Sequence, residues 1–102
     1  AEDFASWGIP TAESVVMAVR GAPGIPVIAS GGIRSGIDAA KAIALGACAA
    51  GIALPLLKAA CESEEAVVTA LGRIIDTLRI AMFCTGATDI ASLRKAELTK
   101  TF

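Results

Sequence analysis

Val27-Ile28-Ala29-Ser30-Gly31-Gly32-Ile33-Arg34-Ser35-Gly36-Ile37-Asp38-Ala39-Ala40-Lys41-Ala42-Ile43-Ala44-Leu45-Gly46-Ala47 contains a strand, a glycine loop, a helix and the approach to a second strand. Pro26 to Ser30 is a short, wholly apolar run, the pattern of a strand buried on both faces of a parallel sheet. Gly31 to Gly36 is a glycine-rich loop. Ser35 and Asp38 have the spacing of a capping box, with Asp in place of Glu, and predict a helix that runs to about Leu45. Gly46 then closes the helix at the position that favours glycine. Cys48 to Ala53 is a second apolar strand. Strand, helix and strand together predict one right-handed βαβ crossover, hence parallel pairing.

The flanking sequence extends this unit. Ala1 to Trp7 shows no clear period, and Gly8-Ile9-Pro10 is a turn. Thr11 is placed to cap a helix over Ala12 to Arg20, with Glu13 in its first turn. Gly21-Ala22-Pro23-Gly24 breaks that helix. Beyond the second strand, Leu54-Pro55 turns into a short helix of about one to two turns ending near Ala60. Ser63 caps a long helix from Glu64 to about Cys84, ended by Gly86. Val67, Leu71, Ile74, Ile75, Leu78 and Met82 form its apolar stripe, with Glu65, Arg73 and Asp76 on the other side. Thr88 is placed to cap a last short helix to about Lys95, and the polar residues after it predict a frayed end. Two parallel strands neither close a barrel nor cover their own faces. The expectation is therefore an incomplete domain over residues 1–102.

Composition agrees. Of the 102 residues, 55% are hydrophobic and 19% charged, with a mean hydropathy of +0.69. Small domains bury a smaller fraction of their surface than large ones, so this apolar excess calls for burial against further protein. A membrane does not supply it. The uncharged run between Lys41 and Lys58 is shorter than the roughly 20 residues of a spanning helix, and Gly46, Gly51 and Pro55 interrupt it. Ala1-Glu2-Asp3 is acidic where a secretory signal would be basic. The net charge of −1 favours neither nucleic acid nor an anionic membrane. With no histidine and three scattered cysteines, Cys48, Cys61 and Cys84, a zinc site is not expected. Such cysteines suit a reducing cytosol and read as buried, inert thiols.

The chemistry points to an anion. In (β/α)8 barrels a phosphate often sits between the loops after strands 7 and 8, at the N-terminus of a short extra helix. Here one strand ends in Gly31-Gly32, and the next in Leu54-Pro55 and a short helix. Glycine lets backbone approach an anion closely, and free amides at a helix start point at it. The candidates are Gly31, Gly32, Ile33 and Arg34 from the first loop, and Ala53 and Leu54 from the second; Arg34 could add a guanidinium fork. Alone, Gly31-Gly32 reads first as a tight strand-to-helix turn without a ligand, and Arg34 as a surface or ion-paired arginine; the second strand with its short helix, at the right separation, shifts both toward the anion. The loop does not match the dinucleotide fingerprint GxGxxG. Trp7 reads as pocket lining or as packing. Asp38, Asp76 and Asp89 are explained by capping and solvation, and no catalytic pair or metal cluster is found.

The stretch from Val27 to Ala47 resembles the last strands of FMN-dependent barrel enzymes, including hydroxyacid oxidases, IMP dehydrogenases and glutamate synthases. Trp7-Gly8-Ile9-Pro10-Thr11, Gly51-Ile52-Ala53-Leu54-Pro55-Leu56-Leu57 and Leu78-Arg79-Ile80-Ala81-Met82-Phe83-Cys84-Thr85-Gly86-Ala87 resemble one family in particular, the type 2 isopentenyl-diphosphate delta-isomerases. Hydroxyacid oxidases typically carry Gly-Arg-Pro where this chain has Ala53-Leu54-Pro55. The resemblance spans about Phe4 to Leu98 and implies an α/β fold, the C-terminal portion of a TIM (β/α)8 barrel. It implies a cytoplasmic, homo-oligomeric enzyme that interconverts isopentenyl and dimethylallyl diphosphate by allylic proton transfer. Reduced FMN and Mg2+ would be required, with NADPH or NADH as reductant and the flavin itself in acid/base chemistry. The flavin phosphate would lie on backbone at Gly32, Ile33, Arg34, Ala53 and Leu54. The family's Mg2+ ligand, diphosphate-binding residues and flavin-side lysine have no counterpart here, so catalysis would need the rest of the barrel. Other readings remain open: another phosphate-binding TIM-barrel enzyme, either an FMN-dependent oxidoreductase or a phosphoribosyl isomerase type without flavin, and a half-barrel module that assembles with itself.

Overall fold

The computed structural model describes residues 3 and 6–98. In chain order the elements are α1 (Thr11–Gly21), β1 (Ile28–Ser30), α2 (Gly36–Ala44), β2 (Ala49–Gly51), α3 (Leu54–Glu62), α4 (Glu64–Thr85) and α5 (Ile90–Leu93). The two strands pair in parallel, Ile28 with Ala49, Ala29 with Ala50 and Ser30 with Gly51. A bond from the Cys48 amide to the Val27 carbonyl extends the pairing at its start. The strands are shorter than Pro26–Ser30 and Cys48–Ala53. Pro26 has no amide to donate, and Gly31 turns away before Ile52 and Ala53 find a partner.

Burial corrects one expectation. Along β1 only Ala29 is buried, while Ile28 is 66% exposed. Side chains alternate across a strand, so Ala29 meets the helices and Ile28 faces the opposite side, where none of the described residues covers it. The sheet is therefore buried on one face.

The helix α2 serves two cores. Ala39 and Ala42 join Val15, Ala29, Ile33 and Ala47 beside the sheet. Ala40 and Ile43 join Leu93, with Leu78, Ala81 and Met82 packed against them. Gly36, Ala40 and Ile43 recur at four- and three-residue spacing, the period of one helix face. Gly36 is buried, and a Cβ there would collide with the α4 backbone at Ile74 and Leu78. Leu93 is only 2% exposed, and Arg94 donates to the Gly46 carbonyl at 3.1 Å. This contact places a cation at the C-terminal end of α2, where the helix dipole favours one.

Helix limits differ from expectation in instructive places. Thr11 lies inside α1, whose N-cap is Pro10 without a side-chain bond. The helix α3 reaches Glu62 rather than Ala60. Ser63 caps α4 through the Ala66 amide at 3.0 Å, and Gly86 ends it. Asp89, not Thr88, caps α5: its carboxylate accepts from the Ser92 amide at 2.7 Å. The α4 stripe is half covered, with Leu71 and Ile75 remaining exposed and Phe83 87% exposed. Cys61 and Cys84 are exposed and Cys48 half-buried, so the thiols are not the buried set expected. Cys61 lies on α3, Cys84 on α4 and Cys48 just before β2. The expected frayed end lies largely outside the described residues, as does part of the aperiodic start.

The total accessible surface is 7603 Å², against about 5,300 Å² for a folded monomer of this mass. The Cα radius of gyration is 14.9 Å, against about 13 Å for a compact chain of this length. A sheet with one open face and a partly bare α4 contribute to both excesses. No helix among the described residues is long and apolar enough to cross a membrane.

Candidate functional site

The loops that follow β1 and β2 lie side by side because their strands are paired in register. Between them is a cleft of about 230 Å³ lined by Ser30, Gly31, Gly32, Ile33, Arg34, Gly51, Ala53, Leu54 and Pro55. That is below the roughly 300 Å³ at which whole small-molecule pockets begin, yet ample for one anionic group. All six sequence-derived candidates, Gly31, Gly32, Ile33, Arg34, Ala53 and Leu54, line this one cleft.

Their backbone state can be followed amide by amide. Gly31 and Gly32 have φ of +106° and +72°, a region open to glycine at little cost. A Cβ on Gly32 would meet no atom within 4 Å, so the space beside it is open. Among the described residues, no backbone or side-chain acceptor pairs with the amides of Gly32, Ile33, Ala53 or Leu54. Gly32, Ala53 and Leu54 are exposed and Ile33 is buried, so these amides are open to solvent on the cleft and free to be taken by an anion. The Arg34 amide differs: it donates to Asp38 Oδ2 at 3.1 Å. The Asp38 amide in turn donates to Ser35 Oγ at 3.2 Å. This is a displaced capping box, in which the shorter Asp side chain engages the residue before the cap. Arg34 therefore has its exposed guanidinium, rather than its amide, to offer.

The two helix starts bordering the cleft are electrostatically unequal. In α2 the first turn carries the Asp38 carboxylate. In α3 the first turn has no acidic residue and Ala53 provides no side-chain cap. Pro55 has no amide, and the Leu56 and Leu57 amides already bond the Ala53 carbonyl at 3.1 and 2.9 Å. The open positive end of α3 is thus concentrated on Leu54 and its neighbour Ala53. An anion in the cleft would meet this end of α3 on one side and the Gly32-Ile33 amides on the other.

Sequence reasoning missed two members of the arrangement. Ser30 lines the cleft from the last position of β1. Thr11, from the preceding helix, donates its hydroxyl to the Gly31 carbonyl at 2.9 Å. The sequence suggests Thr11 as a cap, but Pro10 occupies the cap position and leaves the Thr11 hydroxyl available for another bond. Trp7 is 81% exposed and does not line the cleft. Asp76 is exposed on α4, as its solvated reading requires.

The profile of the FMN-dependent dehydrogenase family matches residues 3–100. The chain is 54% identical over 98 residues to an isopentenyl-diphosphate delta-isomerase of Stutzerimonas stutzeri, covering 96% of this chain and 28% of that protein. It is 55% identical over 95 residues to the enzyme of that name from Xanthobacter autotrophicus, covering 93% of this chain and 28% of that protein. The chain thus spans less than a third of the length of these curated relatives. Among solved structures, a mandelate oxidase variant with a monooxide FMN adduct superposes with a TM-score of 0.83 at 32% identity. The superposition covers 88% of this chain and 29% of the oxidase. The fold is accordingly a portion of the (β/α)8 barrel of FMN-dependent oxidases.

Proposed function

The chain belongs to the FMN-dependent dehydrogenase family, and from that premise we propose that it is the C-terminal part of a barrel and holds the phosphate of FMN. The observation that carries this reading is the set of four open amides, Gly32, Ile33, Ala53 and Leu54, around one cleft. The donors fit the group: backbone N–H and an exposed guanidinium suit a phosphate, and the open space beside Gly32 admits its close approach. The isoalloxazine ring would lie on the remaining strands.

For the complete barrel the proposal is interconversion of isopentenyl and dimethylallyl diphosphate, in line with the names of relatives about 50% identical. Bound reduced flavin would supply acid/base chemistry for allylic proton transfer, with Mg2+ on the substrate diphosphate and NADPH or NADH as reductant. The residues of this chain would fix the phosphate end of the cofactor, away from the reacting carbons. The full enzyme would be cytoplasmic and homo-oligomeric, with the rest of the barrel covering the open sheet face.

A second reading, an FMN-dependent hydroxyacid oxidase, is favoured by the likeness to mandelate oxidase. The sequence at Ala53-Leu54-Pro55 and the higher identity to the isomerases weigh against it. The test is direct. The complete barrel should purify yellow and bind FMN more tightly than riboflavin, which has the same ring and no phosphate. It should convert isopentenyl diphosphate with reductant and Mg2+ and leave mandelate unoxidised. Equal affinity for the two flavins would end the phosphate reading; oxidation of mandelate without isomerisation would select the second one.

A further inference from the structure

We infer that Thr11 is a positioning residue that sets the direction of the Gly32 amide in the anion-holding loop; this rests on the phosphate reading above. Thr11 is the first residue of α1, yet its side chain does not cap that helix. The first turn closes by backbone alone, the Ser14 amide bonding the Pro10 carbonyl at 2.9 Å. Instead the Thr11 hydroxyl donates across 20 residues of sequence to the Gly31 carbonyl at 2.9 Å. The peptide group is planar and trans, so its carbonyl and its N–H point in opposite directions. Holding the Gly31 carbonyl toward α1 therefore turns the Gly32 N–H away from α1.

The need for such a tether follows from the loop's composition. A peptide between two glycines can rotate at little steric cost. In one orientation it offers a donor to the cleft, in the reversed one a carbonyl that would repel an anion. One hydrogen bond from a neighbouring helix selects between them. Thr is suited to this because its β-branch restricts χ1 and holds the hydroxyl in place. The partner is matched as well: a Cβ on Gly31 would stand 3.0 Å from Thr11 Oγ1, so a larger residue there would displace the hydroxyl.

The experiment measures FMN and riboflavin affinities of the complete barrel carrying Thr11→Val or Thr11→Ser. Thr11→Val keeps the shape and removes the donor. It should weaken FMN by about two- to tenfold, the usual range for one hydrogen bond, and leave riboflavin unchanged. Thr11→Ser, which keeps the hydroxyl, should hold the parent's preference for FMN. A Thr11→Val protein with the parent's FMN-to-riboflavin ratio overturns the inference, as does equal weakening of both flavins. If Thr11→Val does not fold, Thr11→Ala is read by the same ratio. A parent protein that does not itself prefer FMN refutes the phosphate reading instead, which separates the two failures.

Discussion

Replacing Gly36 with alanine adds one methyl group where α2 crosses α4. The added Cβ would lie 2.8 Å from Thr77 Cβ and closer still to the Ile74 carbonyl oxygen and the Leu78 amide nitrogen, where ordinary contact begins near 3.4 Å. Two of these three atoms are helix backbone, which cannot swing aside as a side chain can. Relief requires α2 to move off α4, disturbing Ala40, Ile43 and Leu93 behind it. Overpacking of this kind costs about 1–3 kcal/mol. Because the clash is with backbone, the cost falls at the upper end of that range; helix propensity returns up to about 1 kcal/mol, so Gly36→Ala should destabilise the complete barrel by about 2 kcal/mol. Gly72, inside α4, is the control: a Cβ there meets nothing within 4 Å. Gly72→Ala should therefore stabilise by about 0.5–1 kcal/mol. Thermal unfolding followed by circular dichroism reads both, with an expected drop of about 4 °C for Gly36→Ala. The reasoning is refuted if Gly36→Ala melts at or above the parent, or if the two substitutions shift stability in the same direction.

Gly32→Val should weaken FMN binding, since its φ of +72° strains a β-branched residue and its methyls would enter the cleft; unchanged flavin affinity in a folded variant would count against the site. Arg34→Ala should loosen FMN by about ten- to a hundredfold at most, the range for one charge-assisted contact; complete loss of flavin would show that the side chain outranks the backbone. Hydrogen bonds from the Ser92 side chain and amide hold the Asp89 carboxyl below its ordinary 3.8. Because the folded value is the lower one, this support for α5 is complete above about pH 4. It is lost as pH falls through the folded value, which exchange protection of the Ser92 amide should register. The 102-residue chain expressed alone should associate through its open strand edges and have no isomerase activity with FMN, reductant and Mg2+; sharp, dispersed NMR signals from a monomer would contradict the first expectation, and turnover the second.

Local chemistry made the order of elements legible. Ser35, Ser63 and Gly86 mark helix ends in the chain, and each does so in the structure. The six cleft residues were legible because strand ends in a parallel unit must fall side by side. What could not be read was which amides remain open. Asp38 engages the Arg34 amide because the carboxylate is one methylene shorter than a glutamate, a matter of reach rather than of pattern. The Thr11–Gly31 bond joins segments whose proximity exists only after α1 packs on β1. Burial was overestimated for Ile28 because an apolar run reports what a residue requires and not what covers it, and for the thiols because the general tendency of free cysteine to be buried does not say which face of a helix a particular one occupies.

The contact of Arg94 with the Gly46 carbonyl lies before β2 begins, at the end of the sheet opposite the cleft that follows Ser30 and Gly51. Barrels of this kind divide labour along the strand axis, with chemistry at the C-terminal rim and structural anchoring at the other. Arg94 and Leu93 hold α2 by its far end, so the near end can carry a loop rich in glycine without the helix losing its place. For protein engineering this means that the rim loops can be rewritten toward another anionic ligand while the distal anchor is left untouched.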